Sequence, residues 1–515
     1  MENLGTSKMP WLSIFGLLIV GYVAFLMLED FLHTKKYRYP NLVPGLPIVG
    51  NMLQMPATDH GPYLQKLAEK YGEMFTLKLG RSYWVILNSR RTAHELLEKR
   101  AAIYSSRMSL PTAHNIVSGQ KRMVLMPYNE RWRAQRKLMH QVLNVKQSIF
   151  RPLQDLESKA LMYQLLEDPQ KWYLSLARYS SSVILSVVFG IRTKMNDPVF
   201  KTIFKAQEEF VPYTMPGHAK VDSLPFLTEI PYFKSLQPWR WKADKIYQDT
   251  LSGFTTILDE LEARIKAGTQ KECFMTELRK DEESQFTRDE ITFIAVTLLE
   301  AGSDTTRITM VSAIAAAAMY PDWVRRAREQ LDEVCGKNAE RLPTFEDMER
   351  LPYIQAVAKE ATRWRPSNTQ TGLPHALIKD DEFEGYRFPA GTVVTWNHWG
   401  ISNDQKEYDD PMRFRPERFL DDDLSNPRKG HLGFGAGRRQ CVGYNLAATN
   451  QFIVFSRLLY CFDIQEDVAN PLVVDKPFPL TALAEPYKVF FKPRSEAHRQ
   501  LIERECKAAA SIDTS

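Results

Sequence analysis

The stretch Trp11–Leu28, WLSIFGLLIVGYVAFLML, carries no charge, and its only hydroxyls are those of Ser13 and Tyr22. Wound as an α-helix it spans ~27 Å, close to the thickness of a bilayer core. This ties the N-terminus to a membrane before any other element is considered. Lys35, Lys36 and Arg38 follow the run and only Lys8 precedes it, so the positive-inside rule leaves the bulk of the chain in the cytosol. A cleaved signal peptide would have a shorter apolar core, basic residues in front and a small-residue cleavage site, so an uncleaved, single-pass anchor is expected.

The next stretch, Pro40-Asn-Leu-Val-Pro-Gly-Leu-Pro-Ile-Val-Gly-Asn51, holds prolines and glycines that block helix and stiffen the chain, as in a hinge. From there to about Lys492 no low-complexity linker, repeat or composition shift appears, which predicts one large domain. The expected organisation is a short N-terminal segment (1–10), an anchor (11–28), a basic and proline-rich hinge (29–51), a folded body (52–493) and a polar tail (494–515) that frays. A chain of 515 residues, 44% hydrophobic, is long enough to bury a large core. Its 67 basic and 62 acidic residues leave a net charge of +5, too small an excess to point to nucleic acid as a partner. Cys273, Cys335, Cys441, Cys461 and Cys506 stand singly, without zinc-site spacing and in an odd number, which favours a reducing compartment.

Helical periodicity dominates, with candidates near Tyr63–Tyr71, Thr92–Lys99, Asn129–Leu143, Leu174–Phe189 and Trp241–Ala267. Strands are fewer. Thr76–Leu79 and Trp84–Leu87 predict a hairpin around Gly80-Arg81-Ser82, and Gly391–Thr395 follows the turn-forming Phe388-Pro-Ala-Gly391. The fold class is therefore mainly α with a small β region.

Four short motifs carry the chemistry. Thr287-Arg-Asp-Glu290 is a capping box that opens a helix running to about Met319, before Pro321. Within it lies Ala301-Gly-Ser-Asp-Thr-Thr306, where a helix glycine costs about 1 kcal/mol relative to alanine. Gly302 either lets the helix open or packs closely on a neighbour, and a threonine there can bond its own backbone. Glu360 and Arg363 lie three apart on one helical face before Pro366, and Phe414-Arg-Pro-Glu-Arg-Phe419 supplies another arginine on a stiffened loop. In Phe434-Gly-Ala-Gly-Arg-Arg-Gln-Cys-Val-Gly443, a cysteine stands among glycines just ahead of a helix reaching about Leu459. Turn amides and the helix dipole there are expected to lower the thiol pKa, which suits a metal-ligating thiolate; no His/Asn partner marks it as a nucleophile instead.

Together, in this order and spacing, these residues resemble the cytochrome P-450 family of haem-thiolate monooxygenases. Its Phe-x-x-Gly-x-Arg-x-Cys-x-Gly pattern falls on Phe434, Gly437, Arg439, Cys441 and Gly443, and Ala-Gly-x-Asp-Thr-Thr falls on Ala301 to Thr306. Glu-x-x-Arg falls on Glu360 and Arg363, Pro-x-Arg-Phe on Pro416 to Phe419, and Trp-x-x-x-Arg on Trp132 and Arg136. The resemblance covers about Pro40 to Lys492 and implies a helical prism enclosing haem b. Cys441 would be its axial iron ligand, and Trp132, Arg136, His375, Phe434 and Arg439 would contact the cofactor. It further implies Asp304 and Thr305 as the proton-handling catalytic pair, and Glu360, Arg363 and Arg418 as a buried ion triad. Electrons would come from NADPH through a separate membrane reductase, with a cytochrome b-type donor as a second source. The substrate would be a lipophilic small molecule, held by residues near Met108–Gln120, Phe204–Phe226, Leu298–Thr305, Ser367–Leu373 and Leu480–Ala484. The motif wording is similar to that of microsomal members from filamentous fungi acting on secondary metabolites, which implies the endoplasmic reticulum membrane. A reductase-independent isomerase or peroxygenase and a non-catalytic haem sensor are the alternatives; the Asp304–Thr305 pair favours the O₂-dependent enzyme.

Overall fold

The structure, a computed structural model, describes residues 10–56, 58–194, 197–214, 220–223, 237–280, 286–366, 371–475, 478 and 485–511. Of the expected pocket residues, 215–219, 224–226, 367–370 and 480–484 lie outside that set. Among the described residues the helices of seven residues or more are α1 (Pro10–Lys36), α2 (His60–Tyr71), α3 (Glu130–His140), α4 (Arg151–Glu167), α5 (Trp172–Phe189), α6 (Pro198–Phe210), α7 (Pro238–Lys266), α8 (Phe274–Lys280), α9 (Arg288–Met319), α10 (Pro321–Cys335), α11 (Pro352–Trp364), α12 (Tyr444–Cys461) and α13 (Glu496–Ser511).

The longest of these, α9, starts at the expected capping box: the Glu290 amide donates to Thr287 Oγ1, and the Thr287 amide donates to Glu290 Oε2 at 2.8 Å. It is apolar on nearly every side, as a helix surrounded by others must be, and α5 and α12 pack along it in the main core. The helix continues unbroken through Gly302. A Cβ added there would lie 2.7 Å from Ile184 of α5, so close packing rather than opening is what the glycine provides.

Five strands form one sheet in the order β1-β2-β7-β4-β3, comprising Met74–Leu79, Ser82–Leu87, Val393–Trp396, His375–Ala376 and Ser106–Arg107 respectively. The β1–β2 hairpin is the predicted one, and β7 adds to β2 in parallel. Register puts Arg107 opposite His375, and His375 opposite Val394, which brings a cation and an imidazole to one edge of the helical body. Two further pairs, β5–β6 (Asp381–Phe383, Tyr386–Phe388) and β8–β9 (Phe462–Glu466, Val489–Pro493), complete the β region.

The ion triad is fully formed. Arg363 Nε lies 2.6 Å from Glu360 Oε2, Arg418 Nε lies 3.2 Å from Glu360 Oε1, and the Arg415 amide also donates to Oε1, at 2.8 Å. Arg363 further donates to the carbonyls of Ser402 and Pro411, so the remaining charge-bearing atoms are satisfied in the core.

Two expectations are corrected. Helix α1 does not stop at Leu28 but runs to Lys36, because the first helix-blocking residue is Pro40 and because Glu29, Asp30 and His33 find partners on or beside the β1–β2 hairpin. Through Ser511 the tail does not fray: α13 buries His498, Leu501, Ile502, Cys506 and Ala509 against the body, and Arg192 Nη2 donates to the Ala509 carbonyl at 3.1 Å.

Candidate active site

The loop carrying Cys441 folds through local hydrogen bonds that its glycines permit. The Gly435 amide donates to the Leu432 carbonyl at 2.8 Å, and the Cys441 amide donates to the Phe434 carbonyl at 2.7 Å. Gly437 has φ +60°, and a Cβ there would sit 1.9 Å from the Leu97 carbonyl oxygen, so no other residue fits this turn. Asn144 Nδ2 ties the loop to the helical layer through the Val442 carbonyl at 2.7 Å.

Cys441 opens into a cavity of about 360 Å³ between this loop and α9. Its thiol pKa is not lowered as the sequence suggested. Burial raises it, while the Gly443 amide and the Arg136 charge pull the other way without prevailing. On the opposite wall α9 presents Leu298, Ala301, Gly302, Thr305, Thr306 and Thr309, and apolar cover comes from Val183, Ile184, Phe210 and Leu373.

The expected Asp304–Thr305 pair divides between two faces of α9. Thr305 lines the cavity and its hydroxyl donates to the Ala301 carbonyl at 2.7 Å. Asp304 turns by ~100° from it, is buried, and pairs with Arg307 at 2.7 Å. The Arg307 guanidinium lies over the rings of Tyr173 and Phe204, at 5.0 and 5.3 Å, so this ion pair sits among α5, α6 and α9. Burial raises the Asp304 carboxyl to about 6, with Arg307 acting against it.

At the sheet edge of the cavity the cations gather. Arg439 donates through Nε to the Ser105 carbonyl and through Nη2 to the Met126 carbonyl, both at 2.7 Å. Its Nη1 is buried with no partner. Arg107 donates to the carbonyls of Val124 (3.0 Å) and Leu373 (2.6 Å), and burial lowers its pKa to about 9. His375 Nδ1 contacts the Tyr104 carbonyl at 2.7 Å while Nε2 is buried and unpartnered; burial, then the Arg107 charge, hold its pKa well below the usual histidine value. With Nδ1–H on that carbonyl, the neutral His375 presents a lone pair at Nε2, and Trp396 Nε1 beside it joins Arg439 Nη1 as a second donor with no partner among the described residues. Trp132 is buried on α3, capped by Asn129 and stacked under the Arg439 guanidinium at 4.3 Å. One turn on, burial lowers the pKa of Arg136, and the nearby Cys441 raises it.

Half-buried guanidinium groups with carbonyls for partners, and unpartnered donors at one end of an apolar cavity, describe a site for a ligand that is anionic at that end and apolar elsewhere, with the Cys441 sulfur on the cavity wall. The cytochrome P450 family profile matches residues 40–491. This chain belongs to the cytochrome P450 family. Among its relatives, the cytochrome P450 monooxygenase verL of Clonostachys rogersoniana is 34% identical over 517 residues, covering 95% of this chain and 94% of the relative. The cytochrome P450 monooxygenase fogE of Aspergillus ruber is 34% identical over 475 residues, covering 90% and 87%. The fold is also that of a zebra fish cytochrome P450 solved with abiraterone, with a TM-score of 0.67 at 23% identity, covering 85% of this chain and 100% of that one.

In this cytochrome P450 the family implies a haem-thiolate cofactor, and the residues fit one: Cys441 faces the cavity, and the free N–H groups of Arg439 Nη1 and Trp396 Nε1 suit propionate oxygens, whereas the expected His375 contact would need the ring protonated at Nε2. Of the residues expected from sequence, Cys441, Phe434, Arg439 and Thr305 line one cavity, and Trp132, Arg136 and His375 adjoin it through Arg439 and Cys441. Asp304 alone faces elsewhere. Arg107 and Trp396 were missed, since only cross-strand register brings them to His375.

Proposed function

We propose that this cytochrome P450 binds haem b through Cys441 and inserts one atom of O₂ into a lipophilic small molecule, drawing NADPH-derived electrons from a separate reductase. Haem iron with a thiolate ligand supplies O₂ activation. The chain supplies the rest. Val183, Ile184, Phe210, Leu298 and Leu373 give an apolar wall that excludes water from the substrate side, while Thr305 keeps an oxygen lone pair directed at the cavity for a bound water or proton donor. Arg107, Arg439 and Trp396 would fix the propionate end, with His375, Trp132 and Arg136 in support.

The observation that carries this reading is the pairing of a cavity-facing cysteine with a cluster of half-buried cations that have no carboxylate partner among the described residues. Electron delivery is consistent with an open groove of about 1030 Å³ beside the ligand loop, where Arg90, Arg91, Lys99, Arg428, Lys429 and Arg438 outnumber Glu98 and Glu407, although Arg91, Lys99 and Lys429 also pair with carboxylates around it. Arg133 and Lys137 are exposed on α3, as the helix rotation from Arg136 requires. Such a basic surface suits an acidic reductase. Helix α1 is long and apolar enough to cross a bilayer over Ile14–Lys36 and none of it is buried, which supports anchoring in the endoplasmic reticulum with the catalytic body cytosolic. Relatives named as monooxygenases in filamentous fungi support a role in secondary metabolism.

The test joins spectrum and turnover. The reduced carbon monoxide complex should show a thiolate-type band in the parent that is lost in Cys441→Ser, and product should require NADPH, reductase and O₂. Turnover by peroxide alone would assign the peroxygenase reading, and an unchanged band in Cys441→Ser would remove the ligand.

A further inference from the structure

The last turns of α1 do not hang free of the body. Both Glu29 carboxylate oxygens accept from Arg81 Nη2 at 2.9 Å, and Asp30 Oδ2 lies 2.7 Å from Lys78 Nζ, with Asp30 Oδ1 accepting from the Tyr83 hydroxyl. His33 stacks on Tyr83 at 4.9 Å, and Tyr83 on Tyr39 at 4.7 Å. These contacts engage every carboxylate near the end of the helix and hold it against the β1–β2 hairpin.

Beyond this clasp lies an open depression of about 430 Å³. Thr34, Tyr37, Arg38 and Tyr39 line one side, and Glu384 and Tyr386 of the β5–β6 turn line the other. The position is anchored by a backbone bond from the Arg387 amide to the Arg38 carbonyl at 2.8 Å. Its charges are not balanced. Glu384 is committed to Arg91 at 2.5 and 3.2 Å, while Lys35 and Arg38 are exposed and have no carboxylate partner among the described residues. The uncharged run of α1 ends at Leu28 and the Glu29–Arg81 and Asp30–Lys78 pairs follow it, so Thr34 lies ~9 Å beyond the acyl boundary and the depression faces the outer part of the headgroup layer.

We propose that this depression binds the headgroup of an anionic phospholipid, with Arg38 in its lining and Lys35 next to Thr34 balancing the net negative charge, which a choline headgroup would cancel, and the Tyr37 and Tyr386 hydroxyls donating to its oxygens. The inference rests on α1 being a membrane anchor. Tyrosines at an interface offer an apolar ring to the acyl boundary and a hydroxyl to the headgroup, and unpaired cations just cytosolic of a span attract anionic lipid. Because α1 is clasped to the hairpin, an occupied site also fixes how the catalytic body sits on the membrane.

The experiment uses the full chain in non-ionic detergent, titrated separately with dihexanoyl phosphatidylserine, dihexanoyl phosphatidylcholine and inorganic phosphate, and follows hydrogen exchange at residues 34–42 and 382–387. Phosphatidylserine should protect both segments saturably and the other two should not at equal concentration. Arg38→Ala should raise the half-saturating concentration by about fivefold, the share of one surface cation, and Lys35→Ala/Arg38→Ala by more. Equal protection by phosphatidylcholine, protection by phosphate alone, or no change in either variant overturns the site. The anchor itself is read in a separate arm, flotation of the full chain and of a chain lacking residues 1–28 with zwitterionic vesicles. A full chain that fails to float removes the anchor whatever the short-chain lipid does.

Discussion

Thr305 commits its hydroxyl proton to the Ala301 carbonyl, so only its oxygen lone pairs face the cavity, whereas Asp304 is held by Arg307 on another face of the same helix. The two residues should therefore respond to substitution in different ways. Thr305→Ala should leave fold and Cys441 ligation intact, keep NADPH consumption, and lower product by about tenfold or more as proton delivery to the reacting oxygen is lost, the missing electrons appearing as hydrogen peroxide. Asp304→Asn replaces a carboxylate that burial penalises, despite Arg307, with a neutral side chain of the same shape, so it should leave the thermal unfolding at pH 7 unchanged or raised and remove the Asp304 part of the pH dependence below about 6. NADPH, peroxide and product measured together, beside a melting curve, separate the two. Unchanged coupling in Thr305→Ala would return that hydroxyl to a purely helical role, and a melt lowered at pH 7 in Asp304→Asn would mean that the charge opposite Arg307 outweighs the cost of burying the carboxylate.

Helix α13 shows what an apolar stripe of a few residues is worth. Leu501, Ile502, Cys506 and Ala509 recur with near-helical spacing, but charged neighbours outnumber them, so the composition of the tail reads as solvated. Burial decides otherwise, and Arg494, held by Asp332 at 2.8 Å to both carboxylate oxygens, fixes the approach. Truncation after Arg494 should destabilise the body by about 5 kcal/mol, the sum of the buried side chains, measured as an earlier loss of haem absorbance on heating. An unaltered profile would mean that the helix merely lies on the surface. Helices α5, α7 and α9 and the β1–β2 hairpin were legible because their periodicity and caps are local. Helix α4 was not, because its core-facing side includes Gln154 and Glu157: Gln154 bonds Thr449 and Asn450, and Glu157 pairs with Arg178 and Arg192. A polar network that is satisfied only by distant segments hides the stripe that would announce a helix. The ligand loop was legible for the opposite reason, since its glycines, arginine and cysteine act within ten residues of one another. Arg107 contributes through a two-residue strand, and nothing adjacent to it in the sequence signals that role.

Across the whole molecule, neutral buried histidines link the two halves of the fold to pH. His398, after β7, is almost fully buried with neither ring nitrogen bonded among the described residues, and burial lowers its pKa to about 4. His431, ahead of the ligand loop, accepts the Gly433 amide at 3.0 Å, and its pKa falls to about 3 through burial first, then Lys359, His398 and Arg90. Each therefore holds a proton less readily in the folded chain than in the unfolded chain, near 6.5. Their contribution to stability is present above pH 6.5 and is lost as pH falls towards the folded values. Asp304 works in the opposite direction, because its raised pKa favours the folded state as pH falls below about 6, so the parent curve alone mixes the two. The difference between parent and a His398→Phe or His431→Phe variant isolates each imidazole. Between pH 7 and pH 5 the parent should lose about 2 kcal/mol relative to each single variant, a gain of 1.5 pH units below the unfolded pKa at 1.36 kcal/mol per unit. Denaturant unfolding at fixed salt across that range gives the measurement. A constant offset between parent and variant reports packing and leaves the assignment without support, whereas a slope of the stated sign identifies the buried, neutral imidazole as the group that acid must charge before the ligand loop and the sheet come apart.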